Sequence, residues 1–174
     1  MTLTTSQKLN EIKRSFFKYL ADNLPAIQID FDDADFSPPD DSPFLAIRFL
    51  RSSREPCGIG GIVTGDSPNL RGCRHKIQAN LSIYKRHDPQ KADVGGLYST
   101  VAALLNAGDI PLYNFTDPEH PVESGKIFLD PLPAATGPSP IEGRLADNLM
   151  NRELADAGFA WAGIGVLLSV LEQY

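Results

Sequence analysis

Sulfur is scarce in this chain. Cysteine occurs twice, at positions 57 and 73, which fits reduced thiols in a protein made in the cytoplasm. The two could also close a disulfide across the segment between them, but two cysteines do not make a disulfide scaffold. Cations are short as well: 16 Lys and Arg stand against 22 Asp and Glu, giving a net charge of −6 and a pI near 5.0. A dedicated nucleic-acid binder neutralises phosphates with a surplus of Lys and Arg, so that class is excluded. Long apolar runs are missing too. The longest, "GFAWAGIGVLLSVL" (158–171), has 14 residues, where a helix crossing a bilayer needs about 20. The opening "MTLTTSQKLNEIKR" lacks the apolar stretch of a secretory signal. These absences predict a soluble protein without membrane association. No internal repeat and no second domain appear, so residues 1–174 read as one domain, and 42% hydrophobic content is enough for a single core.

What is present is periodicity. Thr4 or Thr5 can cap a first helix in which Leu9, Ile12, Phe16 and Leu20 form one stripe, and Pro25 stops it. "AIQIDF" (26–31) alternates, with Ile27, Ile29 and Phe31 on one face and Gln28 and Asp30 on the other. After the acidic, proline-broken "DDADFSPPDDSP" (32–43) comes a second strand, "FLAIRFLR" (44–51). Leu45, Ile47 and Phe49 point inward in it and Arg48 outward. Residues 52–72 read as a long glycine-rich loop of the kind that binds or orders on a partner. The third strand is the most regular stretch of all, "RGCRHKIQANLSIYKR" (71–86). Cys73, His75, Ile77, Ala79, Leu81 and Ile83 share one parity; Arg74, Lys76, Gln78, Asn80, Ser82, Tyr84 and Arg86 share the other.

Asp93 is placed to cap a second helix over 94–107, with Val94, Leu97, Val101, Leu104 and Leu105 on its stripe and Gly108 as its left-handed terminator. Short strands are predicted at 110–115 and 125–130. Residues 131–143, with four prolines, form a second extended loop, and 144–158 a short helix. The closing "FAWAGIGVLLSVLEQY" favours a long strand with Ala162, Ile164, Val166, Leu168 and Val170 on one face, a C-terminal helix being the alternative. The order predicts an α+β fold: a mostly antiparallel sheet with helices packed on one face and long extended loops.

Cys57, Cys73 and His75 could supply three metal ligands, but Cys73 and His75 lie on the apolar parity and no CxxC or HxxxH pair accompanies them, so a buried thiol and a satisfied imidazole are expected. "GIGG" (58–61) lacks a following GK[ST], and Ser67 in "GDS" (65–67) has no strand-to-helix elbow. The aspartates at 30, 32, 33, 35, 40 and 41 lack the order of a calcium loop and its closing glutamate. His87 and His120 fall in turns. No catalytic residue, cofactor site or metal site is predicted. The polar parity of the third strand remains. Its charges, Arg74, Lys76 and Arg86, with Lys85 next to them in the chain, are all positive in an otherwise acidic chain, complementary to the anionic segment at 30–41. A solvated sheet face is the ordinary reading of such a pattern. Complementary surfaces on one molecule instead suit head-to-tail association of copies into a closed ring, which makes Arg74, Lys76, Tyr84, Arg86 and Arg48 candidate interface residues.

The helix of roughly 20 residues, "AIQIDF", "PFLAIRFLR", a variable loop and "RHKIQANLSIYKR" come in a telling order. They are followed by an Asp-x-Gly-Gly-Leu-Tyr-x-x-Val-Ala-x-Leu-Leu helix running into "NAGDIPLYNF" and by an apolar closing strand. This arrangement resembles the tail terminator (tail completion) proteins of long-tailed bacteriophages. The resemblance covers roughly 5–130 and 158–174 and rests on element order and texture; residues 131–158 depart from it. It implies a virion structural protein without catalytic residues, made in the host cytoplasm and placed at the head-proximal end of the tail. Such a protein forms a homohexameric ring on the last ring of tail tube protein, stops tube polymerisation and docks to the head connector or stopper protein. DNA would pass through the lumen without specific binding, and Asp32, Asp33, Asp35, Asp40 and Asp41 are the candidates to face that channel. The alternatives are another head–tail connector, a stopper or a tube protein, and, from a different class, a small enzyme using Asp and His from the loops.

Overall fold

The computed structural model describes residues 5–31, 36–39, 42–57, 72–86, 94–131 and 159–173. The expected helix at 144–158, the proline-rich segment beyond Pro131, the caps Thr4 and Asp93, and Asp32, Asp33, Asp35, Asp40 and Asp41 lie outside the described residues.

The first helix, α1 (Thr5–Asn23), forms on the predicted stripe: Ile12, Phe16 and Leu20 are fully buried and Leu9 half-buried. It ends where the Asn23 carboxamide donates to the Tyr19 carbonyl (2.8 Å), two residues before Pro25. Six strands follow around a second helix. They are β1 (Gln28–Phe31), β2 (Phe44–Cys57), β3 (Gly72–Arg86), α2 (Val94–Leu105), β4 (Asp109–Asn114), β5 (Val122–Pro131) and β6 (Phe159–Gln173). The strands make one curled sheet in the order β1-β2-β3-β6-β5-β4, antiparallel throughout except for the parallel pair β1–β2. The architecture is α+β with a mostly antiparallel sheet.

Several boundaries differ from the sequence reading, and one pairing gives a connection its role. Strand β2 runs to Cys57, so residues 52–57, expected in a loop, pair with β3 from Ile77 back to Gly72. Ser, Arg, Glu and Pro have poor strand propensity, and the regular partner strand supplies the ladder that propensity does not. Strand β5 starts at Val122 rather than 125, drawn into register by β4. The parallel β1–β2 pair uses residues 32–43 as its return connection, which parallel pairing requires to be long.

The cross-strand register sets two faces. Leu45–Ile83–Ala162, Ile47–Leu81–Ile164 and Phe49–Ala79–Val166 are in line, and all of these but Ala162 join Ile12, Phe16 and Leu20 of α1 and Val101 and Leu105 of α2 in one buried cluster or pack against it. Helix α1 touches both edge strands. Phe17 packs on Phe31 of β1 (centroids 4.8 Å apart), and the buried Ser15 hydroxyl accepts the Tyr113 N–H of β4 (2.8 Å) beside the irregularity at Leu112/Tyr113. The two edges of the sheet thus both meet α1, and on β4 the Ser15 hydroxyl occupies a backbone donor. Helix α2 ends through Gly108, whose φ of +86° is the left-handed conformation predicted for it; its carbonyl accepts the Leu129 N–H of β5 (2.9 Å).

Candidate functional site

The opposite face of the sheet carries the residues that the sequence marked out. Along β3 it holds Arg74, Lys76, Gln78, Asn80, Ser82 and Tyr84, flanked by the outward residues of β2 and β6. At one end lies a small second cluster of Phe44, Ala46 and Tyr84, covered by Phe36; no side chain of α1 or α2 belongs to it. Tyr84 stacks on Phe44 (4.8 Å, 17° between planes) and is 2% exposed. Burial pushes its phenol pKa above the ordinary 10.0, against the weaker opposing effects of a hydrogen bond with Ser82 and the charge of Arg48. Within the subunit, Phe36 and Phe44 cover Tyr84.

Arg48 is also engaged internally. Its guanidinium donates to the Asp30 carboxylate, which is 3% exposed, and to the Ile47 carbonyl (2.9 Å). In-register pairing of Asp30 with Ala46 on parallel strands puts the carboxylate on this outer face, one strand from Arg48. Lys76 reaches Glu55 of β2 at 2.7 Å, and Glu55 stands opposite Arg74 in the ladder. The cationic strip is thus partly neutralised by carboxylates of its own subunit. Arg74 is exposed; the Arg86 side chain lies outside the described residues.

Beside Arg74 and Lys76 the face turns apolar. Leu171 of β6 stands opposite Arg74 and is 50% exposed, and Phe128 of β5, opposite Ser169, is 44% exposed, with half-buried Leu167 between β3 and Asp130. Sequence reasoning did not single these residues out. Their signal was present: in "VLLSVL" and "KIFL" both parities are apolar, which is more than a one-sided strand needs.

On the inner face, the far ends of β2 and β3 bring Cys73 and His75 together, both buried. Their Sγ and Nε2 are 3.3 Å apart, and Arg54 Nε donates to the sulfur at 3.1 Å. A guanidinium on the sulfur opposes a metal cation there, and among the described residues no group of three or more His, Cys, Asp or Glu could hold a metal. His120 lies exposed in the β4–β5 turn, as read. Ser67, the glycines at 58–61, and His87 lie outside the described residues. Among the described helices none is long and apolar enough to cross a membrane.

A separate concavity of about 210 Å³ opens between α1 and the end of β4, lined by Gln7, Asn10, Glu11, Arg14, Phe115 and Thr116. Gln7, Asn10 and Arg14 recur at helical spacing on one face of α1, and the Arg14 guanidinium lies over the Phe115 ring, 4.2 Å from its centroid.

No family model matches this chain, and no curated protein matches it. One solved structure, whose name carries no functional description, is similar over 99% of each chain at 11% identity and a TM-score of 0.45.

Proposed function

We propose that this chain is a structural protein of the virion of a long-tailed bacteriophage, a tail terminator that closes into a ring at the head-proximal end of the tail. The ring caps the tail tube, stops addition of further tube subunits and offers its other side to the head connector or stopper protein. The supporting observation is the outer sheet face, where exposed Phe128 and Leu171 adjoin Arg74 and Lys76. Exposed apolar side chains rimmed by charge are what a protein partner covers. The element order, helix, three strands, helix, three strands, agrees with that reading, and its long central strands give the face a rigid base.

The mechanism is contact and charge. In a head-to-tail ring each copy presents two different patches, one to each neighbour, and closure ends growth without any chemical step. Six copies at −6 each carry a formal −36. A net-acidic bore disfavours phosphate binding, so DNA slides through it without adhering.

The test is tube growth. Adding the purified chain to the polymerising tail tube protein of the same virion should leave tubes that stop elongating with the chain at one end. Unchanged tube length, or polymerisation of the chain alone into tubes, would overturn the proposal; the second result would make it a tube protein.

A further inference from the structure

The concavity beside α1 has a counterpart on the same molecule. Its wall residues Phe115 and Thr116 lead directly into the β4–β5 turn, "TDPEHPVE", which projects Asp117, Glu119 and His120 into solvent. This turn is rigid. The Asp117 carboxylate accepts the N–H groups of Glu119 (3.0 Å) and His120 (3.4 Å) and meets the His120 ring at 3.2 Å, while Pro118 and Pro121 fix the backbone around the apex. Asp117 is thus occupied in shaping the turn, and Glu119 is the acid it presents.

The concavity is equally set. The Arg14 guanidinium sits over the Phe115 ring, and among the described residues no carboxylate is in an ion pair with Arg14. A guanidinium stacked on an aromatic ring keeps its edge N–H groups for a planar acceptor, and a carboxylate is the acceptor that fits them two at a time. Thr116 is pinned by its N–H (2.8 Å) and hydroxyl (2.6 Å) to the Asn114 side chain. Glu11, in the same wall, faces Lys8 at 3.6 Å, so Arg14 is the cation the recess offers. A held turn beside a set recess loses little backbone freedom on association, which is where much of the cost of binding lies.

We infer that this recess receives the Glu119 turn of a second copy of the chain, and that the contact is reciprocal. Knob and recess are three residues apart in the chain, from Thr116 to Glu119, so a two-fold axis can bring Glu119 of each copy to Arg14 of the other. That is the self-complementary arrangement an isologous contact requires. The proposal does not rest on the ring reading. A cyclic ring uses head-to-tail contacts, whereas this surface would pair two subunits, or two rings, face to face.

Sedimentation across a concentration series tests it. The wild-type chain should reach twice the mass of its unpaired unit, and Arg14→Glu and Glu119→Arg should each halve that mass. The combined Arg14→Glu/Glu119→Arg protein should pair again, because both charges are exchanged. Glu119→Gln, a neutral change on an exposed turn, should weaken pairing with the fold intact, and added salt should weaken the wild type likewise. A wild type that never pairs, single variants that pair like it, or a folded charge-exchanged protein that stays unpaired would each overturn the inference. Loss of the unit itself in Arg74→Glu/Lys76→Glu, with pairing of the remaining species intact, separates ring closure from this contact.

Discussion

Replacing Arg48 by Met is the sharpest probe of how the outer face is built. The change keeps most of the aliphatic stem and removes the charge that faces Asp30. Asp30 is 3% exposed, so its carboxylate would remain in a low-dielectric site with its main counter-charge gone. Breaking a buried ion pair from one side costs about 3–5 kcal/mol. The Arg48 side chain is itself 33% exposed, so water softens the loss and brings it below that range, to about 2–3 kcal/mol. In a chain of this length that is a fall in Tm of roughly 4–12 °C. The double change Asp30→Leu/Arg48→Met removes both charges and should recover most of the loss, because an apolar pair of similar bulk costs little in such a place. Urea unfolding of the two single variants and the double variant, at a concentration where the oligomeric state is constant, gives the coupling directly. If Arg48→Met unfolds within about 0.5 kcal/mol of the wild type, the carboxylate is reached by water and the pair is a surface one.

The remaining predictions concern separate parts of the molecule. Ser15→Ala strips the acceptor from the Tyr113 N–H and should cost about 1–3 kcal/mol in chemical denaturation, with faster amide exchange confined to β4. Gly108→Ala forces a side chain into positive φ; open space around its Cβ removes any clash, so the loss should be only about 1 kcal/mol. Tyr84 has its folded pKa raised by burial above 10.0, so its contribution is fully present below pH 10 and is lost as the pH rises through the folded value; Tyr84→Phe should flatten that alkaline loss of stability in a pH series of urea midpoints. Arg74→Glu/Lys76→Glu should leave the unfolding midpoint within about 0.5 kcal/mol of the wild type while reducing assembly seen by light scattering.

The inward face of the sheet was legible because each strand there repeats every second residue without interruption. Ile77 to Ile83 and Ala162 to Val170 were readable from parity alone, and the α1 stripe from helical spacing. Parity does not say whether the second face is covered. Tyr84, of polar parity, is buried because Phe36 and Phe44 cover that end of the face, a tertiary fact carried by residues far apart in sequence, and Asp30, also of polar parity, is buried beside Ala46 and Arg48. The extension of β2 through "SSREPC" was hidden for a related reason: its ladder is imposed by β3 and not by its own side chains. The parallel β1–β2 pair could not be read from a connection that gives no sign of direction. Arg14 and Glu119 were invisible in sequence, since only the turn of the chain after β4 brings their neighbourhoods together.

The account depends most on assembly through surfaces, and electron microscopy of the purified chain, with its mass measured by light scattering with and without tail tube, addresses that directly. Closed rings of one fixed copy number, single or paired face to face and recruited to tube ends, are the predicted result. A particle that stays a lone subunit at every concentration and ignores the tube, or that grows into open filaments, would contradict it.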